Sequence, residues 1–340
     1  MAIASDFKCA LLGIDRIPRW DDFVKDSPQG TVFQTKAYLQ CVQRGFQRNV
    51  SALGVFRGNK IVGGVVLFPR KKYGFSYTTA PYYVPYNGLM LAAFSESPYY
   101  FKRNQLQNLV MERLLGELEA RFAYCDFYHS PQLEDLRPFL WRNWRIQPQY
   151  SIIVPLQEGK DFSSRMEGAQ RRRLRQIEKR GCEVNPGTDT ALLYQFMEQS
   201  YHYHGMIPPL NRQVFLEFTT ALLQAGIGKL YLANLDTRPL AAVMVVEDPP
   251  NVYALFSGRN FKEDSSGVEL FLLYKIMQTY QENRYEKLDL LGAMIPSITK
   301  VKLELGGFLQ RFDQTIYYRN SMIKSIVNWQ QKRFQKRRRV

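Results

Sequence analysis

Cysteine is scarce in this 340-residue chain: Cys9, Cys41, Cys125 and Cys182 stand singly, with no CxxC pair and no ligand-like spacing. That excludes a disulfide framework and suits a reducing compartment. Histidine is scarcer still, at three residues. His202 and His204 are two apart, a spacing that separates them on a helix, so no metal pair is expected. His204, just before Gly205, reads instead as the cap of a helix C-terminus, where a cation is favoured. No nucleophile elbow or catalytic Cys motif is present. No run reaches the roughly 18 consecutive apolar residues of a membrane-spanning helix. The opening MAIASDFKCALLGIDRIPRW is interrupted by Asp6, Lys8 and Asp15, so it lacks the apolar core of a signal peptide. A soluble, cytoplasmic protein without a metal is the expectation.

Acid is missing altogether from residues 321–340, which hold seven Lys/Arg. The formal net charge is +15, so the remaining 320 residues still carry +8. A basic body of this kind favours polyanionic partners: RNA, nucleotide-diphosphate substrates or an anionic membrane surface. With 45% hydrophobic and 14% aromatic residues the chain can bury substantial cores, and its length suits about two domains.

Two segments read as copies of one unit. In 50–81 and in 229–260 a strand leads through a polar turn (Arg57-Gly58-Asn59-Lys60; Asp236-Thr237-Arg238-Pro239) into a strand that opens on small residues. Gly63-Gly64 and Ala241-Ala242 occupy matching places, where something can pack close to the backbone. Helical stretches precede the copies at 31–46, 190–205 and 211–226, and others follow near 98–123 and 267–285. Each trailing helix runs into a short apolar strand, at 123–129 and 287–292. The pattern predicts an α/β (α+β) protein of two similar domains, each a mixed, mainly antiparallel sheet flanked by helices. The expected boundaries are 1–150 and 151–320, with a basic amphipathic tail at 321–340.

That element order resembles the GNAT acyltransferase fold, and two such units in tandem resemble the Fem family of peptidoglycan-bridge aminoacyltransferases and the related BioF2-like proteins. The matching stretches are FQTKAYLQCV (33–42), PYYVPYNGLML (81–91), RRRLRQIEKRGCEV (171–184) and LDLLGAMIPSITKVKLELGG (288–307). The last resembles a segment that commonly ends in Phe-Lys-x-x-Phe-Gly. Here Val301-Lys302-Leu303-Glu304-Leu305-Gly306 keeps the Lys and the Gly, with aliphatic residues at both Phe places. The long helical hairpin found in some relatives, often linked to tRNA, is lacking.

The resemblance implies transfer of an acyl or aminoacyl group to an amine of a peptidoglycan or surface-polysaccharide precursor, with aminoacyl-tRNA as donor in preference to acyl-CoA and no bound cofactor. Such transfer needs a cation or N–H group aimed at the oxyanion that develops, and the resemblance assigns Lys302 to that place. Arg171, Arg172 and Arg175 are candidates for a phosphorylated substrate, since guanidinium forks suit phosphate; a solvated helix face is the alternative. Tyr201, His202 and Tyr203 are candidates for facing substrate. Ser265, Ser266 and Gly267 stand where an acyl-CoA pyrophosphate would be held. They lack the family's Gly-rich spacing, and a plain helix N-cap explains the serines. In the tail, Ile323, Ile326, Val327 and Phe334 fall on one side among Lys and Arg, the pattern of a helix drawn to anionic lipid at the inner face of the membrane. Two rival readings stay open: a catalytically degenerate scaffold that binds RNA or anionic lipid, and an acetyl-CoA-dependent N-acetyltransferase.

Overall fold

The computed structural model describes residues 7–94, 98–156, 162–263 and 266–337, with side chains described to residue 333. In chain order the elements are β1 (Phe7–Gly13), α1 (Trp20–Asp26), α2 (Lys36–Phe46), β2 (Ser51–Arg57), β3 (Lys60–Leu67), β4 (Pro69–Lys72), β5 (Phe75–Thr79), β6 (Met90–Leu91), α3 (Tyr100–Arg121), β7 (Tyr124–Tyr128), α4 (Arg137–Trp141) and β8 (Arg145–Pro155). There follow α5 (Gly168–Lys179), β9 (Glu183–Gly187), α6 (Thr190–Tyr203), α7 (Arg212–Gln224), β10 (Gly228–Leu235), β11 (Arg238–Asp248), β12 (Asn251–Arg259), α8 (Val268–Glu282), β13 (Lys287–Asp289), α9 (Pro296–Leu303), β14 (Phe308–Tyr318) and α10 (Ser321–Arg337). The chain divides into two compact units, Met1–Gln149 with Phe312–Lys332, and Tyr150–Arg311 with the chain end from Arg333. No helix among the described residues is long and apolar enough to cross a membrane.

In the first unit the strand order is β1-β2-β3-β6 in one sheet, and β4-β5-β7-β14 run side by side in another. The expected hairpin forms as β2–β3, and its glycine pair serves close packing on both faces. A side chain on Gly63 would overlap Val110 of α3, and one on Gly64 would lie 3.0 Å from the Trp20 ring of α1. Leu53, Val55, Val65 and Leu67 bury against Leu114 and Leu118 of α3. Helix α10 departs from the expectation of a lipid-facing apolar side. Ile323 is buried and Val327 half-buried, both packed on the Phe75, Tyr77, Tyr124 and Ile316 side of the sheet. The unit supplies an apolar surface there, and removing these side chains from water stabilises by about 1.5–3 kcal/mol each when burial is complete. Phe334 lies outside the described side chains.

In the second unit the order is β8-β13-β12-β11-β10-β9. Alternation along β11 feeds two cores. Ala241, Val243 and Val245 join α5 and α8 through Leu174, Ile177, Phe271 and Ile276. Helices α6 and α7 cover the other face, where Phe215 and Phe218 meet Phe256. Gly258 is required for that cover, because a side chain there would overlap the backbone of Phe196 and Met197 in α6.

Candidate functional site

In the second unit β12 and β13 form a parallel pair over three positions only, Asn251 with Lys287, Val252 with Leu288 and Tyr253 with Asp289. Strand β13 then stops, while β12 runs on to Arg259 and carries a bulge at Leu255, since Met244 pairs with Phe256 but Val245 with Ala254. Among the described residues the far half of β12 therefore has no strand partner on its β13 side. Loops and helix starts that follow parallel strands gather at the carboxyl edge, the usual ligand edge of such pairs.

Lys302 lies at this edge. Its Nζ donates to the carbonyl oxygens of Leu290 (2.6 Å), Gly292 (3.1 Å) and Leu291. Leu291 and Gly292 both have positive φ, 48° and 59°, and this turn points successive carbonyls at one cation. For Leu291 that conformation is strained. Asp289, buried in the strand, accepts the Leu291 N–H at 2.8 Å and the Ser151 hydroxyl. Burial pulls the Lys302 ammonium down to about 8, against smaller opposing effects of Asp289 and of Glu269 in the first turn of α8. An ammonium has three donors, and all three are taken by carbonyls. The expected arrangement, a free Lys302 N–H aimed at an oxyanion, is therefore not what this conformation presents: Lys302 holds the 290–292 turn and supplies a half-buried positive charge beside it.

The start of α8 also differs from expectation. Gly267 is the N-cap, in the left-handed region (φ 83°), and no side chain caps the helix. Ser266 does not cap; its hydroxyl accepts from Arg173 Nη2. Ser265 lies outside the described residues. Arg173 roofs the helix start so closely that a side chain on Gly267 would come within 2.5 Å of its Nε. A guanidinium beside a helix N-terminus opposes the helix dipole, so the pair forms a positive spot suited to an anion. Sequence reasoning missed Arg173 among its neighbours. Leu174 and Ile177 of α5 are buried against the core that includes α8, and position 173, beside Leu174, is the one turned towards α8. Arg171, Arg172 and Arg175 are exposed, and among the described residues no hydrogen bond or ion pair brings them to this edge. Arg175 Nε reaches only the Arg171 carbonyl, at 3.4 Å. On the same helix Gln170 donates to Glu304 Oε2 at 2.7 Å and so ties α5 to the end of α9.

Of the three residues at the end of α6, Tyr203 is the one drawn to the loop after β12. Its ring stacks on Phe261 at 4.5 Å and 27°, and the Arg259 guanidinium covers Phe261 at 3.8 Å. Gln199 Oε1 anchors the same loop by accepting the Phe261 N–H at 2.8 Å. Tyr201 is half-buried in the turn that ends the helix, and His202 is exposed. His204 is the C-cap of α6, as its position before Gly205 indicates.

The first unit contains a comparable parallel pair, β5–β7, over Tyr77–Thr79 and Tyr124–Asp126. There the chain closes its own gap: Asn87 and Gly88 return and donate to the Tyr128 carbonyl at 3.0 and 2.8 Å. Buried His129 locks this closure. Its Nδ1 accepts from the Leu89 N–H at 3.3 Å, which leaves Nε2 to donate to Thr315 Oγ1 at 2.8 Å, and burial pulls its pKa down to about 3. Asp126 accepts from Gln314 and Tyr124, and burial raises its pKa. Two hollows in the second unit, of about 350 Å³ between α6 and α7 and about 280 Å³ beside Arg180 and Arg238, contain none of the groups at the β12–β13 edge described above. Among the described residues no group of His, Cys, Asp and Glu could hold a metal ion.

Comparison with known proteins bears on the fold. Residues 164–295 match the acetyltransferase (GNAT) domain family. No curated protein matches the sequence. Among solved structures the chain is similar to FemX, with TM-score 0.66 and 14% identity over 90% of this chain and 96% of that one. It is similar to the C-terminal domain of a putative lysylphosphatidylglycerol synthetase from Agrobacterium fabrum, with TM-score 0.56 and 12% identity over 93% and 96%. It is also similar to a tandem GNAT protein from the clavulanic acid biosynthesis pathway, with TM-score 0.51 and 8% identity over 92% and 99%. The chain thus carries a tandem, Fem-like GNAT fold, mixed α/β with mostly antiparallel sheets.

Proposed function

We propose that this protein is an N-acyltransferase of Fem type that moves an acyl or aminoacyl group onto an amine of a peptidoglycan or surface-polysaccharide precursor. The observation that carries the reading is the opening of the β12–β13 pair above the Lys302-held turn, beside the positive start of α8. An amine nitrogen attacking a donor carbonyl forms a C–N bond, breaks the ester or thioester bond, and passes its proton to the leaving group or solvent. Negative charge grows on the carbonyl oxygen on the way, and a half-buried cation nearby stabilises it. In this reading Lys302 is a positioning residue: it fixes the backbone at the strand end and adds its field, without needing to touch the oxyanion. Arg173 with Ser266 and Gly267 would receive a donor phosphate, and Tyr203 with Phe261 would border the donor.

The donor we favour is aminoacyl-tRNA. The α8 start lacks a Gly-rich series of open amides and is covered by one guanidinium, an arrangement less suited to a pyrophosphate than to a single phosphodiester. Transfer of radiolabelled amino acid from charged tRNA to an amine-bearing, phosphorylated precursor, run beside acetyl-CoA, tests both parts. Label transfer from acetyl-CoA alone would replace the donor assignment, and no transfer from either would remove the enzyme reading. The saturation of Lys302 by three carbonyls favours a second reading, a scaffold that binds without turnover. It requires that ligand binding persist while every donor stays intact.

A further inference from the structure

Two segments of the first unit, 68–79 and 314–332, contain no acidic residue between them. They are distant in sequence but packed together, since Phe75 and Tyr77 of β5 meet Ile323 and Val327 of α10. The β4–β5 hairpin exposes Arg70, Lys71, Lys72 and Tyr73, with Tyr73 68% exposed at the tip. Burial and the neighbouring Arg70 both lower the Arg48 pKa, with Tyr77 acting in the opposite sense, so two guanidinium groups stand close together here.

Docking fixes which side of α10 faces outward. With Ile323 and Val327 turned inward, Met322 and Trp329, seven residues apart, fall on a shared exposed side. Met322 is 52% and Trp329 53% exposed, and Lys324 and Lys332 of the same helix are also exposed. Trp and Tyr beside Lys and Arg are the composition that lies at a lipid headgroup boundary.

We infer that the β4–β5 hairpin and the outward side of α10 form one docking surface for an anionic lipid bilayer, with Tyr73, Met322 and Trp329 entering the headgroup region and the surrounding Lys and Arg neutralising lipid phosphate. The charge of the surface matches such a bilayer, and its apolar tips match lipid better than the uniformly polar backbone of a nucleic acid. The surface lies entirely on the first unit and does not depend on the transfer reaction.

The test is co-sedimentation of the full chain with phosphatidylcholine vesicles, with and without phosphatidylglycerol, at physiological salt. Binding is expected only with phosphatidylglycerol. It should weaken about tenfold or more in Lys71→Glu/Lys72→Glu and comparably in Met322→Ser/Trp329→Ser, while the thermal midpoint of both variants stays that of the parent. All four positions are exposed, so folding should survive. Absence of binding to phosphatidylglycerol vesicles would overturn the inference. So would unchanged binding by both double variants, or retention of a mixed-sequence RNA by a protein that ignores vesicles.

Discussion

Asp289 and Lys302 grip one turn by its opposite polarities: the carboxylate takes the Leu291 N–H at 2.8 Å, and the ammonium takes the Leu290 carbonyl at 2.6 Å. Between them Leu291 is held in the left-handed region. The end of β13 is thereby fixed by two side chains that lie thirteen residues apart in sequence.

Replacing Lys302 by Met leaves three carbonyls without their cation. We expect a stability loss of about 1–3 kcal/mol and a transfer rate lower by roughly 100-fold. Arginine should restore little, because a planar fork cannot point at three carbonyls converging on one atom. Steady-state rates and denaturant midpoints of the two variants measure this. A parental rate in Lys302→Met would take the residue out of the reaction.

The same lysine sets a pH dependence. Its folded pKa, about 8, lies below the ordinary lysine value of 10.5. The folded chain therefore binds fewer protons than the unfolded one between these values, and this residue's contribution to stability rises with pH across that window. Below pH 8 the cost of burying the charge is present in full. Activity that depends on the charged form should instead decline above about pH 8. A rate profile that falls there in the parent, and loses that limb in Lys302→Met, is the expected result.

Arg173 is predicted to matter where its neighbours do not. Arg173→Ala should raise KM for a phosphate-bearing donor by about tenfold or more, the value of a charge-assisted contact. Arg171→Ala, Arg172→Ala and Arg175→Ala should each stay within about twofold, because exposed cations of this kind contribute little. Equal effects across the four would mean that α5 acts by net charge alone.

His129 makes the first unit acid-sensitive. Its folded pKa of about 3 lies below the ordinary histidine value of 6.5. Stability should therefore fall as pH drops from about 6.5 towards 3, by up to roughly 4–5 kcal/mol once both states are protonated. His129→Gln, which can keep an amide acceptor and donor, is expected to flatten this loss in urea titrations at pH 7, 5 and 4.

Gly258→Ala should displace α6 from β12 and destabilise the second unit by about 1–3 kcal/mol, with secondary loss of Tyr203 stacking on Phe261. Fluorescence-monitored unfolding reports the first effect. Parental stability would show that α6 can move aside at no cost.

Much of the fold was legible because its signals are local. The hairpins at 51–67 and 228–248 follow from apolar strands around two-residue turns, and Gly63-Gly64 marked close packing that α1 and α3 supply. The candidate site was less legible, because its decisive contacts join distant residues. Ser266 reads as a cap by type and position, yet Gly267 caps and Ser266 receives Arg173 from 93 residues away. Three consecutive arginines are indistinguishable in sequence. Only the side of α5 that buries Leu174 and Ile177 selects the third.

By itself the sequence determined the repeated α/β plan, the basic character and the position of the motif lysine, because periodicity, turn chemistry and charge are written in neighbouring residues. The tertiary structure decided what that lysine does. Whether an ammonium is free or spent depends on which carbonyls surround it, and the turn that presents them exists only once β13 has docked and Asp289 has fixed Leu291. It decided the tail as well. An amphipathic helix can bury only one side against its own protein, and docking Ile323 and Val327 on the sheet left Met322 and Trp329 to face outward.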